Sequence, residues 1–226
     1  MTKCLASWSS GKDSAWMVHV LRARADLTIG ALLTTVNAPA QRVAMHAVRV
    51  DLLQAQADAL GVPLWQLPIP SPCTNEEYER AMEGAVRRAV ADGFTHVAFG
   101  DLFLEDIRRY REERLAGSGL SPVFPLFGLD TATLAHQMID SGLHARLTCV
   151  DPRALDRRFA GREFDAALLS ELPAGVDPCG ERGEFHTFAY DGPMFAHPVP
   201  VQAGEIVERD GFVFADLSLE HGQSNI

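Results

Sequence analysis

The chain is 226 residues long, 47% hydrophobic and 22% charged, with a formal net charge of −10. That length and balance are those of an ordinary globular protein built as one large domain or two small ones. The acidic charge argues against a nucleic-acid partner gripped through many phosphates, with Arg108, Arg109, Arg111 and Arg114 as the one candidate for a local basic patch. No apolar run approaches the roughly 20 residues of a membrane span and no signal-peptide pattern opens the chain. A cytoplasmic protein with no membrane partner is therefore expected. Cys4, Cys73, Cys149 and Cys179 lie far apart with no C-x-x-C pair, which argues against a zinc ribbon or redox pair and for buried, reduced thiols.

In chain order, an apolar run ending at Trp8 breaks into Ser9-Ser10-Gly11-Lys12-Asp13-Ser14 and resumes as a helix over 13–24, which reads as strand, tight loop, helix. A buried strand follows over 27–35. Asn37-Ala38-Pro39 breaks it, and the segment 36–42 reads as a mobile loop that orders over substrate. Val43, Ala47, Val50, Leu53 and Ala57 recur at helical spacing, so a helix is expected over 43–60, stopped by Gly61. A third strand over 62–69, a helix capped by Thr74 and ending near Gly93, and a fourth strand over 95–99 complete an alternation that implies a parallel sheet covered on both faces.

Beyond Gly128 the pattern changes. A helix over 131–141, a strand over 145–150, helices over 153–159 and 164–171, and short strands over 185–190, 199–201, 206–209 and 212–215 suggest a smaller α+β region. Asp210-Gly211 marks a hairpin. The expected organisation is an α/β domain over 1–128, a smaller α+β domain over 129–219 and a tail over 220–226.

The Ser9–Ser14 loop is suited to a polyphosphate. Small residues let the backbone pass close to a ligand, and the first turn of the following helix carries amide donors and the positive end of the helix dipole. Lys12, one of only two lysines, adds a mobile charge. A Walker A loop would need Gly where Ala6 stands and Ser or Thr where Asp13 stands, and the three spaced glycines of a dinucleotide fold are absent. Gly100 and Asp101 follow the fourth strand and would face the loop if the first and fourth strands are neighbours. Asp101 then suits magnesium or substrate, or equally the cap of the next helix.

The hexapeptide SSGKDS resembles the SGGKDS loop of the PP-loop (N-type) ATP pyrophosphatases, with Ser10 in place of the first glycine. Those enzymes hold the pyrophosphate of ATP while a substrate attacks the α-phosphorus. The segment 100–128 (GDLFLEDIRRYREERLAGSGLSPVFPLFG) and the later DPCGERGEFHTFAYDGPMF over 177–195 together resemble the diphthine-ammonia ligase family of these proteins. The resemblance runs from Leu5 to about Val207.

It implies a Rossmann-like (HUP-type) α/β fold and an ATP-dependent ligase that activates a carboxylate by adenylation and transfers ammonia to it. The carboxylate is small or protein-borne. By the same resemblance Ser9, Ser10, Gly11, Lys12, Asp13 and Ser14 cradle ATP, Asp13 helps place Mg2+, and Gly100, Thr34 and His46 belong to the nucleotide site. The adenine is expected against residues 6–8 and 33–35. Lys12, Asp101, Glu181 and Glu184 are the candidate catalytic residues, the two glutamates orienting substrate or ammonia, while His186 reads as base, hydrogen-bond partner or structural group. An ATP or AMP sensor without turnover and a sulfur-transfer PP-loop enzyme are the alternatives, and a homodimer is left open.

Overall fold

The computed structural model describes residues 2–43 and 48–220. His46 and nearly all of the expected tail lie outside them. β1 (Thr2–Ser7) leads through the Ser9 loop into α1 (Lys12–Arg22), then β2 (Leu27–Asn37), β3 (Arg42–Val43), α2 (Val50–Leu60), β4 (Leu64–Ile69), α3 (Asn75–Ala91), β5 (His96–Ala98), α4 (Glu105–Leu115) and β6 (Ser121–Val123). These form a six-stranded sheet. β1 pairs in parallel with β2, Thr2 opposite Leu27 through Ser7 opposite Leu33, and with β5, Leu5 opposite Val97. Leu32 and Leu33 of β2 also pair with β4, so β4 lies on the far edge of β2, as β6 lies beyond β5. Strand order therefore reverses at β1, which puts the Ser9 loop at the crevice where open α/β sheets bind ligands.

The sheet is buried on both faces. Cys4, Ala6 and Leu32 enter one hydrophobic cluster and Leu5, Ala31 and Leu33 the other, the alternation that a two-sided strand requires. Thr74 and Glu77 close a capping box on α3, Thr74 Oγ1 accepting from Glu77 N at 3.2 Å and Glu77 Oε2 from Thr74 N at 2.8 Å. Gly61, at φ 64°, ends α2 in the left-handed conformation that glycine tolerates best.

The second sheet follows α5 (Thr131–Asp140) and contains β7 (His144–Val150), β8 (Phe185–Asp191), β9 (Val201–Arg209) and β10 (Phe212–Leu219), all antiparallel in the order β8-β7-β10-β9. A single 3-10 turn (Arg157–Phe159) and α6 (Ala166–Glu171) connect β7 to β8. Phe185, Phe188, Ala189 and Val213 of this sheet share one cluster with Trp16, Met17, Leu52 and Leu53, so the second sheet packs on the α1–α2 side of the first. Asp210 and Gly211, both at positive φ, make the expected hairpin turn.

Several expectations are corrected. The second helix begins at Val50, because Val43 pairs antiparallel with Val36 and the chain turns back along β2. The segment 36–42 is consequently the end of β2 and a tight hairpin rather than a loose loop. One strand, β9, runs from Val201 to Arg209 where two short strands over 199–201 and 206–209 are expected, and α4 and β6 form where the sequence showed no clear periodicity.

Candidate active site

The end of β1 and the start of α1 are shaped by two buried polar groups. Ser10 takes φ 70°, and its carbonyl accepts from Ala189 N and from Gln56 Nε2, both at 2.9 Å. Gln56 is fully buried in α2 and also accepts from the Trp8 indole at 3.1 Å, so one amide holds both ends of the turn. Gly11 is the N-cap of α1 and no side chain caps it. The helix N-terminus borders the cleft, with Lys12 and Asp13 in its first turn. Gly100 passes so close that a Cβ there would sit 3.2 Å from Asp13 C and Ser14 N.

A cleft of about 220 Å³ lies over this turn, bordered by Ser9, Lys12, Asp13, Ser14, Gly100 and Asp101 from the first sheet and by Glu181, His186 and Thr187 from the second. Lys12 is 1% exposed, and its ammonium donates to both Asp13 oxygens, at 3.0 and 2.9 Å, and to the Cys179 carbonyl. Its backbone N–H donates to Thr187 Oγ1 at 3.1 Å. Burial draws the Lys12 pKa down, but Asp13 and Glu181 outweigh it and the net shift is upward, so the cation persists. Burial pushes the Asp13 carboxyl up against the opposing pull of Lys12.

Asp101 does not cap α4, whose N-cap is Leu104 with no side-chain cap bond. It accepts from Arg111 instead, from Nε at 2.6 Å and from one terminal nitrogen at 3.0 Å. Across the cleft, Glu181 accepts from Leu102 N at 2.8 Å, and burial, reinforced by Asp13 and Asp101, raises its carboxyl to about 7. Burial first, then Lys12, holds the His186 imidazole down at about 4, so it is neutral near pH 7.

The 177–187 loop owes its shape to buried carboxylates. Asp177 accepts from Thr131 Oγ1 at 2.6 Å and from the Cys179 and Glu181 amides at 3.1 and 3.0 Å. Glu184, 5% exposed, accepts from the amides of Asp177 and Arg182, both at 3.0 Å. Gly180, at φ 71°, lies where a Cβ would fall 2.8 Å from the Phe185 carbonyl. Glu184 thus closes its own loop and does not border the cleft, whereas Glu181 does.

Thr34 is likewise placed away from the cleft, buried and donating to the Trp8 carbonyl at 2.8 Å. Ala6, Trp8 and Leu33 are core residues; of the surface expected against adenine, only Ser7 borders the cleft. Sequence reasoning missed Gln56, Thr187 and Arg111 as parts of the site. Arg111 carried a signal in its place among clustered arginines and Thr187 in its place at the end of the 177–187 motif, whereas Gln56 carried none. Burial raises the thiols of Cys4 to about 11 and of Cys149 and Cys179 to about 12, which leaves none of these three poised as a nucleophile. Among the described residues no three His, Cys, Asp or Glu side chains are grouped to hold a metal ion, and no helix is long and apolar enough to cross a membrane.

Two family profiles match this chain. Residues 2–121 match the one described as the diphthamide synthase N-terminal domain, and residues 130–217 the one described as its C-terminal domain. The chain is similar to a diphthine-ammonia ligase of Danio rerio, 33% identical over 188 residues that cover 74% of this chain and 71% of the relative. Diphthine-ammonia ligases of Bos taurus and Homo sapiens are each 28% identical over 194 residues, covering 79% of this chain and 70% of each relative.

Proposed function

The chain belongs to the diphthamide synthase (diphthine-ammonia ligase) family, and on that premise we propose that it is a ligase that forms an amide from a carboxylate and ammonia while splitting ATP to AMP and pyrophosphate. The observation that carries the reading is the N-terminus of α1, with Lys12 in its first turn, at the strand-order reversal and facing Glu181 across one cleft.

The β and γ phosphates would rest on the Ser9–Ser14 turn, where backbone donors, the helix dipole and Lys12 offset the charge that develops on pyrophosphate. A substrate carboxylate oxygen attacks the α-phosphorus, and the bond from that phosphorus to the oxygen shared with the β-phosphate breaks. Ammonia nitrogen then bonds to the acyl carbon, AMP leaves with the carboxylate oxygen, and Glu181 accepts the surplus proton. A carboxyl held near 7 suits that task because it is ionised enough to accept and basic enough to do so. Magnesium ordinarily binds through one or two carboxylates plus substrate phosphates, and the Asp13 carboxylate borders the cleft where the phosphates would lie. Asp13 is the residue that would hold it, and the ion would neutralise phosphate charge.

The nucleoside would occupy a cavity of about 260 Å³ that shares His186 with the cleft and has Asn37, Phe212 and Phe214 in its walls. The role assigned to Glu184 is positioning, through the loop that carries Glu181. Incubation with ATP, magnesium, ammonium and a panel of carboxylates is the test: release of AMP and pyrophosphate supports the reading, and release of ADP, or binding without turnover across the panel, contradicts it.

A further inference from the structure

A second cavity, of about 370 Å³, lies between α3 and α4, and among the described residues Arg111 alone borders both it and the phosphate cleft. Its walls are Met82 and Val86 of α3, Phe99 at the end of β5, and Leu115 of α4, with Tyr110 exposed at 40%. A hollow of this size with apolar walls and a few polar groups is the usual form of a small-molecule site.

Arg111 is held rigidly between the two spaces. Its guanidinium stacks over the Phe99 ring at 4.2 Å and spends Nε and one terminal nitrogen on Asp101. A guanidinium carries five N–H donors in a fixed fork, so donors remain for a second anion beside Asp101. Elsewhere in the groove the charges are matched in pairs, Arg114 with Glu79 and Arg87 with Glu83. Glu113 has no ion-pair partner among the described residues, so a ligand's one carboxylate must sit at Arg111 and away from Glu113, and a second negative group is disfavoured.

We infer that this groove is the acceptor site, taking a monocarboxylic acid with an apolar or aromatic stem, the stem between α3 and α4 and the carboxylate on Arg111 at the edge of the phosphate cleft. The inference rests on the ligase reading for its meaning. That reading puts the nucleoside in the cavity bordered by His186, which shares no lining residue with the groove, and leaves the Arg111 side for the attacking group. A fixed guanidinium there would strip water from the carboxylate and aim one oxygen at the cleft.

Ligand-observed saturation-transfer NMR on the full chain, with 4-phenylbutanoate and 4-phenylbutylamine as probes of one stem and opposite charge, tests it. The carboxylate should bind and the amine should not. Val86→Glu, and independently Met82→Glu should the first variant fail to fold, should weaken the carboxylate at least tenfold while leaving ATP affinity within twofold, since neither residue borders the phosphate cleft. Equal or preferred binding of the amine, retention of the carboxylate by a folded variant, or a wild-type dimer that Val86→Glu converts to monomer would overturn the assignment. Failure of the wild-type chain to bind ATP would sink the ligase reading instead, and the two probes report on the groove regardless.

Discussion

The side-chain amide of Gln56 donates to the Ser10 carbonyl at 2.9 Å while accepting from the Trp8 indole, so a residue buried in α2 sets the shape of the phosphate turn. The same nitrogen also meets the Ala189 carbonyl in the second sheet. Gln56→Leu would leave the Trp8 N–H buried without a partner, a loss of about 1–3 kcal/mol. Urea unfolding should show that loss, and ATP affinity should fall with it. An unchanged affinity would mean that the turn keeps its shape without this amide.

Ser10 occupies a left-handed backbone position where related loops carry glycine, and it is fully buried there. A β-carbon in that conformation costs about 1–2 kcal/mol. Ser10→Gly should therefore stabilise the protein by up to about 1 kcal/mol after the Ser10 hydroxyl bond to the Ser9 carbonyl is lost. Thermal or denaturant melting decides the sign, and a net loss would show that the hydroxyl outweighs the strain.

Lys12→Met keeps the aliphatic stem and removes the ammonium. ATP should bind at least tenfold more weakly and adenosine within twofold of wild type, as calorimetric titration would show. Equal loss of both would contradict a phosphate role. Stability should fall because Asp13 loses the cation beside it, by less than the roughly 3–5 kcal/mol of a fully buried broken pair since protonation of that carboxyl limits the cost.

Glu181→Gln preserves an oxygen for Leu102 N and removes the base. Turnover should drop by about 10²–10⁴-fold with ATP affinity retained. In the wild type the ionised form appears as pH rises through about 7, so kcat should climb there, and the variant should lack that limb. A variant profile that still rises near 7 would assign the limb to another group.

His186 supplies a stability signature of the opposite sign. Its folded pKa of about 4 lies below the ordinary 6.5, so between those values the unfolded chain binds the extra proton and stability is lost as pH falls. The upper limit is about 3 kcal/mol. Glu181, raised from 4.5 to about 7, works the other way and stabilises toward acid, so the wild-type curve alone is ambiguous. The difference between wild type and His186→Asn isolates the histidine. That difference should shrink steadily from pH 6.5 to 4, because the variant no longer carries the acid penalty, and a constant difference would contradict a buried neutral imidazole.

What the sequence by itself determined is what neighbours in the chain decide. The strand, turn and helix from Thr2 to Arg22, the Thr74–Glu77 cap and the Asp210-Gly211 hairpin all follow from short-range periodicity, backbone freedom and local hydrogen bonds. Tertiary structure decided the rest. Val43 fits a helical apolar pattern yet pairs with Val36, because the edge of β2 offers hydrogen bonds that an isolated helical turn there cannot match. α4 is so rich in charge that no apolar face announces it, and it forms by laying Arg108 and Arg111 over the rings of Phe124 and Phe99. Glu181 and Glu184, three residues apart in one acidic run, are separated by the fold alone. One reaches the cleft and the other turns into its own loop, since positive φ at Gly183 rotates the chain between them.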